Sequence, residues 1–184
     1  MIIGHVGVAY AARRHWAHVP LPWLLVATFA PDIAREILAD TGRSWWESNT
    51  YSHALPWSGV LALGLASIAG FALRNGVSAT VIGAMVTSHV LLDMISGWKP
   101  LWIGGPAGLN LEHIEPAEFA VEAAIAWAGW RVARRTTLPR VVTSRRVLVL
   151  LFMVQASYLV WTYRERPART RCLLYPIAPC WTSL

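Results

Sequence analysis

The chain carries few charged residues and almost no cysteine, and both shortages limit the classes of protein to which it can belong. Only 14% of its 184 residues are charged, whereas 55% are hydrophobic. A soluble domain of this length cannot bury that much apolar surface. The composition therefore argues against an ordinary globular protein and favours a membrane protein.

The two cysteines, Cys172 and Cys180, lie close to the C-terminal end of the chain. They do not form a CxxC pair, so a cysteine metal site is not expected. In an oxidising compartment the two residues can pair as a disulfide. Elsewhere they stay as two free thiols, and the sequence leaves both options open.

Lysine is nearly absent as well, and the net charge of +6 comes from arginines that stand in short clusters between apolar runs. This pattern is typical of loops that lie against anionic lipid headgroups. Nucleic-acid binding is not expected, because no soluble face combines basic with aromatic residues. Membrane lipids are the predicted partners.

Apolar stretches dominate the rest of the chain. A spanning helix needs about 20 apolar residues, and residues 54–73 meet this length without a single charge. The other candidates are short or carry ionisable residues: 77–98, 147–163, 117–133 and 20–39. Residues 1–12 are too short to cross alone, and we expect a half-inserted helix or the lid of a site there.

These stretches predict an all-α fold, a polytopic membrane helical bundle with four to five transmembrane helices. Residues 1–184 form one integral-membrane domain, with 166–184 as a C-terminal tail. Six arginines between 131 and 146 place that loop in the cytoplasm by the positive-inside rule. The side on which the tail lies depends on whether 117–133 crosses the membrane, which the sequence leaves open.

Two ionisable residues, His89 and Asp93, interrupt the apolar stretch 77–98. Their spacing puts them on one face of a helix, about 6 Å apart along its axis. Ionisable groups at membrane depth are costly and usually line a cavity or a polar interior. Imidazole and carboxylate are good ligands for a divalent metal such as zinc. Alternatively, a hydrogen bond between the two side chains locks two helices together.

Three further apolar segments bring metal-capable side chains, His5, Asp32 and His53. Asp32 follows Pro31, which cannot donate to the carbonyl four residues earlier, so a backbone acceptor is freed inside an apolar helix. Three histidines and two carboxylates from separate helices can converge on one or two metal ions. In contrast, His15 and His18 flank two arginines and are predicted to be interfacial, whereas Glu122 is expected to hydrogen-bond within the bundle.

Short motifs in the same order resemble the bacterial inner-membrane metal-dependent hydrolases, the family that includes a LexA-regulated member. The motifs are GH at 4–5, APD at 30–32, YSHAL at 51–55, SHVLLD at 88–93 and KPLWIGGPAGLNL at 99–111. The resemblance implies a multi-spanning helical protein with a hydrolase activity. It also implies a metal site formed by the five residues His5, Asp32, His53, His89 and Asp93.

The sequence thus predicts a metal-dependent hydrolase of the inner membrane, with zinc as the expected metal. A bound zinc ion lowers the pKa of a water molecule toward neutrality, and Asp32 or Asp93 is the expected general base. A site at membrane depth favours lipid or lipid-linked phosphoesters as substrates. The alternatives are a non-catalytic metal-binding or transport membrane protein, or histidines and aspartates that only bond helices together.

Overall fold

In a computed structural model, which describes residues 2–102, 105–109, 111 and 115–173, the chain is 79% helical. The described part contains seven helices: α1 Ile3–His15, α2 Leu21–Asp40, α3 Trp45–His53, α4 Leu55–Leu73, α5 Gly76–Ser96, α6 Glu115–Ala133 and α7 Arg145–Leu173. The predicted all-α class is confirmed. A short antiparallel hairpin that we did not predict, β1 (Lys99–Trp102) and β2 (Gly105–Ala107), lies between α5 and α6.

Two helices of the described chain, α4 and α5, are long and apolar enough to cross a membrane. Large apolar side chains of α4 point away from the protein, with Leu63 72% and Phe71 89% exposed. Such a surface is unfavourable in water and favourable in lipid. These two helices support membrane association, and a total of four to five crossings stays a prediction. The side chains of Cys172 and Cys180 lie outside the described residues.

A break in the helix places His53 at the junction of α3 and α4. Pro56 has no N–H to donate to the carbonyl of Ser52, so α3 cannot continue through it, and the proline instead lies in the first turn of α4. At its other end α3 begins with a capping box between Ser44 and Glu47. The hydrogen bonds from Ser44 hold the pKa of Glu47 below its ordinary value.

The proline of α2 has a milder effect, because α2 is one helix on both sides of Pro31. The missing N–H of Pro31 interrupts the hydrogen-bond ladder without ending the helix. Asp32 therefore follows the interruption on a continuous rod. The N-terminal half of α2 packs through Leu24 and Ala27 into the main core, which also contains Ile82 of α5.

Helix α1 packs most closely against α6, and two glycines permit this approach. A Cβ added at Gly7 would lie 2.5 Å from the carbonyl oxygen of Ile125, and one added at Gly129 would overlap the backbone of Gly7. Small residues at a helix crossing let two backbones meet directly. Residues 1–12, for which we expected a half-inserted helix or a lid, belong largely to this packed helix, and its N-terminal turn carries His5.

Candidate metal centre

Four predicted ligands meet at one point inside the helical bundle. Asp32 comes from α2, His53 from the end of α3, and His89 and Asp93 from the last turns of α5. One donor atom of each lies within 4.8 Å of the others. The three residues other than Asp32 are buried, as is expected of ligands that enclose an ion.

The separations between these donor atoms suit a metal ion. His53 Nε2 lies 3.2 Å from His89 Nε2, 3.4 Å from Asp93 Oδ2 and 3.6 Å from Asp32 Oδ1. His89 Nε2 lies 3.5 Å from Asp93 Oδ2 and 3.9 Å from Asp32 Oδ2. A tetrahedral ion with bonds of about 2.0–2.2 Å separates its ligand atoms by about 3.3–3.6 Å. The separations of His53 from its three neighbours and of His89 from Asp93 are close to those of a tetrahedral zinc shell, and the separation of His89 from Asp32 is longer.

A hydrogen bond outside the cluster fixes the tautomer of His89. Its Nδ1 lies 2.6 Å from the backbone oxygen of Thr28. A carbonyl oxygen can only accept, so Nδ1 carries the proton and donates it. In the neutral ring, the Nε2 lone pair then points at the other donor atoms, which is the arrangement that metal-binding histidines adopt.

The neighbouring serine does the same for His53. The hydroxyl group of Ser52 donates its only proton to the carbonyl of Ser48 at 2.7 Å, and its oxygen lies 2.6 Å from His53 Nδ1. With that proton donated to Ser48, Nδ1 is the donor in the second contact, which leaves Nε2 of the neutral ring with a lone pair. In this tautomer two lone pairs face each other at 3.2 Å, and a cation between them removes their repulsion.

The fifth predicted ligand, His5, lies against the same cluster. Its Nε2 is 3.6 Å from Asp93 Oδ1, and its ring lies 4.1 Å from that of His89 between centroids. Both of its nitrogens are buried without a hydrogen-bond partner among the described residues. Burial, and to a smaller extent His89, lowers the pKa of His5 to about 3. A neutral, unpartnered imidazole at this position is available to a metal ion.

The carboxylate of Glu122 on α6 holds the helix that carries His5. One oxygen, Oε2, accepts from the backbone N–H groups of Ile2, Ile3 and Gly4 at 2.8, 3.0 and 3.3 Å. The other, Oε1, accepts from Gln155 of α7 at 2.8 Å. A negative charge at the start of a helix satisfies its free N–H groups and matches its dipole. The expectation that Glu122 bonds within the bundle is thus confirmed.

A cation that sequence reasoning missed borders the cluster. Lys99 Nζ lies 3.4 Å from Asp93 Oδ2 and 3.5 Å from Asn49 Oδ1. The only available signal was that Lys99 is the one lysine of the chain and closely follows the apolar stretch with His89 and Asp93. On another side, Arg35 lies 3.6 Å from Asp32 and pairs with Glu36.

Access to the centre is greatest at two side chains. Asp32 is 25% exposed and Lys99 is 15% exposed, whereas the three histidines are fully buried and Asp93 is 2% exposed. A small molecule that reaches the cluster would therefore meet these two charged groups first. His15, the last residue of α1, and His18, in the turn that follows, are exposed, which agrees with the surface position predicted for them.

Several arginines lie at the end of the bundle away from the cluster. The turn between α4 and α5 carries Arg74, whereas the cluster lies at the opposite ends of these two helices. Arg14, at the far end of α1 from His5, donates to the carbonyl of Arg135 just after α6. Two other cations, Arg35 in α2 and Lys99 in β1, lie beside the cluster. The acidic residues with described side chains lie in α2, α3 and α6 and at the end of α5: Asp32, Glu36, Asp40, Glu47, Asp93, Glu118 and Glu122.

The arrangement provides nitrogen and oxygen ligands for a divalent ion, a partly exposed carboxylate beside it, and a bordering ammonium group. The identity of the metal does not follow from the donor set alone, because imidazole and carboxylate suit several divalent ions. Comparison with known proteins adds no further constraint, since no protein-family model, curated protein or solved structure matches this chain.

Proposed function

We propose that this protein is a zinc-dependent hydrolase of the bacterial inner membrane. One observation carries the proposal: donor atoms of His53, His89, Asp32 and Asp93 lie within 4.8 Å of one another. The contacts at both Nδ1 atoms support it, because they orient the two imidazoles with Nε2 toward the carboxylates of Asp32 and Asp93. The resemblance in motifs to membrane metal-dependent hydrolases agrees with this reading.

The residues divide into ligands and a proton acceptor. His53, His89 and Asp93 are buried and would hold the ion, with His5 as a further donor. When bound, zinc lowers the pKa of a water molecule toward neutrality. Asp32 is the best placed general base, because it is next to the donors and is the most exposed of them.

The proposed reaction is hydrolysis of a phosphoester in a lipid or lipid-linked molecule. The water oxygen forms a bond to phosphorus, the bond from phosphorus to the ester oxygen breaks, and the departing oxygen takes up the proton that Asp32 accepted. The exposed apolar surface of α4, including Leu63 and Phe71, supports a substrate that arrives through the bilayer.

The charge distribution supports a multi-pass orientation with the metal centre toward the outer face. Arginine-rich loops stay in the cytoplasm, and Arg74, Arg14 and Arg135 all lie away from the cluster. A reporter enzyme that works only in the cytoplasm should then be active when it is fused at Leu138. Activity of a periplasmic reporter at the same position would reverse the proposed orientation.

Hydrolysis can be tested with the detergent-purified protein and a short-chain phosphoester lipid. Chelation should abolish phosphate or alcohol release, and added zinc should restore it. Asp32→Asn should reduce turnover strongly, whereas Asp40→Asn, an exposed carboxylate of the same helix, should not. If zinc binds but no phosphoester is cleaved, while metal uptake into proteoliposomes depends on His89, the chain is a metal transporter instead.

A further inference from the structure

We propose that Lys99 forms, beside the metal ligands, a subsite for the phosphoryl group of an anionic substrate. This inference rests on the proposed metal centre and makes its substrate class more specific. The ammonium group shares Asp93 Oδ2 with the cluster: that oxygen is 3.4 Å from Lys99 Nζ and 3.4 and 3.5 Å from the Nε2 atoms of His53 and His89.

The first argument is the charge balance. The two negative charges of Asp32 and Asp93 would compensate the charge of a divalent ion, and neutral histidine ligands contribute no net charge. Arg35 is compensated by Glu36, which it contacts at 2.5 Å. Lys99 therefore leaves the occupied centre with one positive charge in excess. Since a buried, uncompensated charge is costly, the occupied centre favours an anionic ligand.

The second argument is the free hydrogen-bonding capacity of Lys99. An ammonium group carries three N–H donors, and the described residues provide acceptors for two of them, Asp93 and Asn49. The amide of Asn49 is itself oriented, because its Nδ2 donates to the carbonyl of Trp45 at 2.9 Å. Within the described part of the chain the third donor has no acceptor, so it can donate to a phosphoryl oxygen at the partly exposed side of the cluster.

The third argument is the anchored position of the hairpin that carries Lys99. Just after β2, the N–H of Leu109 donates to the carbonyl of Met94 at 2.8 Å, which ties the hairpin to the end of α5. Gly108 adopts a φ of +144°, and a Cβ there would overlap the carbonyl of Gly97. A glycine is therefore required at this contact. Lys99 is thus held on a fixed support and not on a loose loop.

The test measures binding of inorganic phosphate by calorimetry to the zinc-loaded, detergent-solubilised full chain. Lys99→Met should weaken phosphate binding by about tenfold or more, the effect of one charge-assisted hydrogen bond. Lys99→Arg should retain most of the affinity. Arg43→Gln is the matched control, since Arg43 is an exposed cation that stacks on Tyr51, and it should change nothing. Zinc content should be the same in all four proteins.

Parallel titrations identify the source of the phosphoryl group. Tighter binding of short-chain phosphatidic acid than of inorganic phosphate would indicate a lipid headgroup, and equal affinities would indicate free phosphate. Short-chain diacylglycerol, which lacks the anion, should show no dependence on Lys99.

Two results would overturn the subsite. The first is a Lys99→Met variant that still holds zinc and binds phosphate as tightly as the wild-type protein. This result would contradict the subsite but not the metal centre. The second is loss of folding in both Lys99→Met and Lys99→Gln, which would mean that Lys99 serves to neutralise the buried Asp93. Failure of the wild-type protein to bind zinc would instead contradict the proposed function itself.

Discussion

Replacing Glu122 should loosen the helix that carries His5 and thereby weaken the metal centre. Glu122→Leu removes the acceptor for the N–H groups of Ile3 and Gly4, both buried, and for the amide of Gln155. Each buried donor left without an acceptor costs about 1–3 kcal/mol. We therefore expect the free energy of unfolding to fall by about 3 kcal/mol or more.

Glu122→Gln should be milder, because the new amide can still accept from the backbone of α1. Its NH₂ group can donate to Gln155 Oε1, which has no partner among the described residues, once the Gln155 amide rotates. The main loss is the negative charge at the start of α1, which is worth up to about 2 kcal/mol in a buried setting. Asp40→Asn, which removes an exposed charge, should have almost no effect.

The assay combines unfolding in detergent with zinc affinity measured against a chelating dye. Because displaced supporting groups typically cost 10–100-fold in metal affinity, Glu122→Leu should weaken zinc binding by about tenfold or more. In a His5→Ala background, Glu122→Leu should reduce zinc affinity little further, since His5, which Glu122 is expected to position, is already absent. Equal losses of zinc affinity in both backgrounds would refute the idea that Glu122 acts through His5.

Three further predictions follow from single contacts. Ser52→Ala should reduce zinc affinity by about tenfold or more, because His53 loses the acceptor that orients it. Helix content measured by circular dichroism should stay the same. Unchanged zinc affinity would contradict the assigned tautomer. Gly129→Leu should separate α6 from Gly7 and lower the thermal unfolding temperature, whereas a stable variant would contradict the direct backbone contact. Since the pKa of Glu47 is lowered in the folded chain, the contribution of Glu47 to stability is present above pH 4.5 and is lost as the pH falls through and below that value. Glu47→Gln should flatten this part of the pH–stability profile. An unchanged profile would contradict the role of Glu47 in the cap.

Much of the helical layout could be predicted because long apolar runs leave few alternatives. The run 54–73 is α4 almost to the residue, and 77–98 contains nearly all of α5. The separate helix α3 was not predicted, because its nine residues have no apolar periodicity and depend on the cap at Ser44. The hairpin after α5 was missed because its position depends on a tertiary contact between Leu109 and Met94.

The site residues could be predicted because ionisable side chains are conspicuous in apolar helices. His89 and Asp93 stand out in this way, other apolar segments contribute His5, Asp32 and His53, and the motif resemblance implies the same five residues. The supporting contacts could not be predicted in the same way. Lys99 reaches Asp93 only through the fold of the hairpin, and the acceptor for His89 is a backbone carbonyl that any residue at position 28 would provide.

The most direct test of the central claim is the metal content of the detergent-purified protein, measured by elemental analysis beside His89→Ala, Asp93→Asn and the surface control His15→Ala. The metal centre predicts a stoichiometric divalent ion in the wild-type protein and in His15→Ala, with a strong loss in the other two variants. Full metal content in both His89→Ala and Asp93→Asn, or no stoichiometric metal in the wild-type protein, would contradict it.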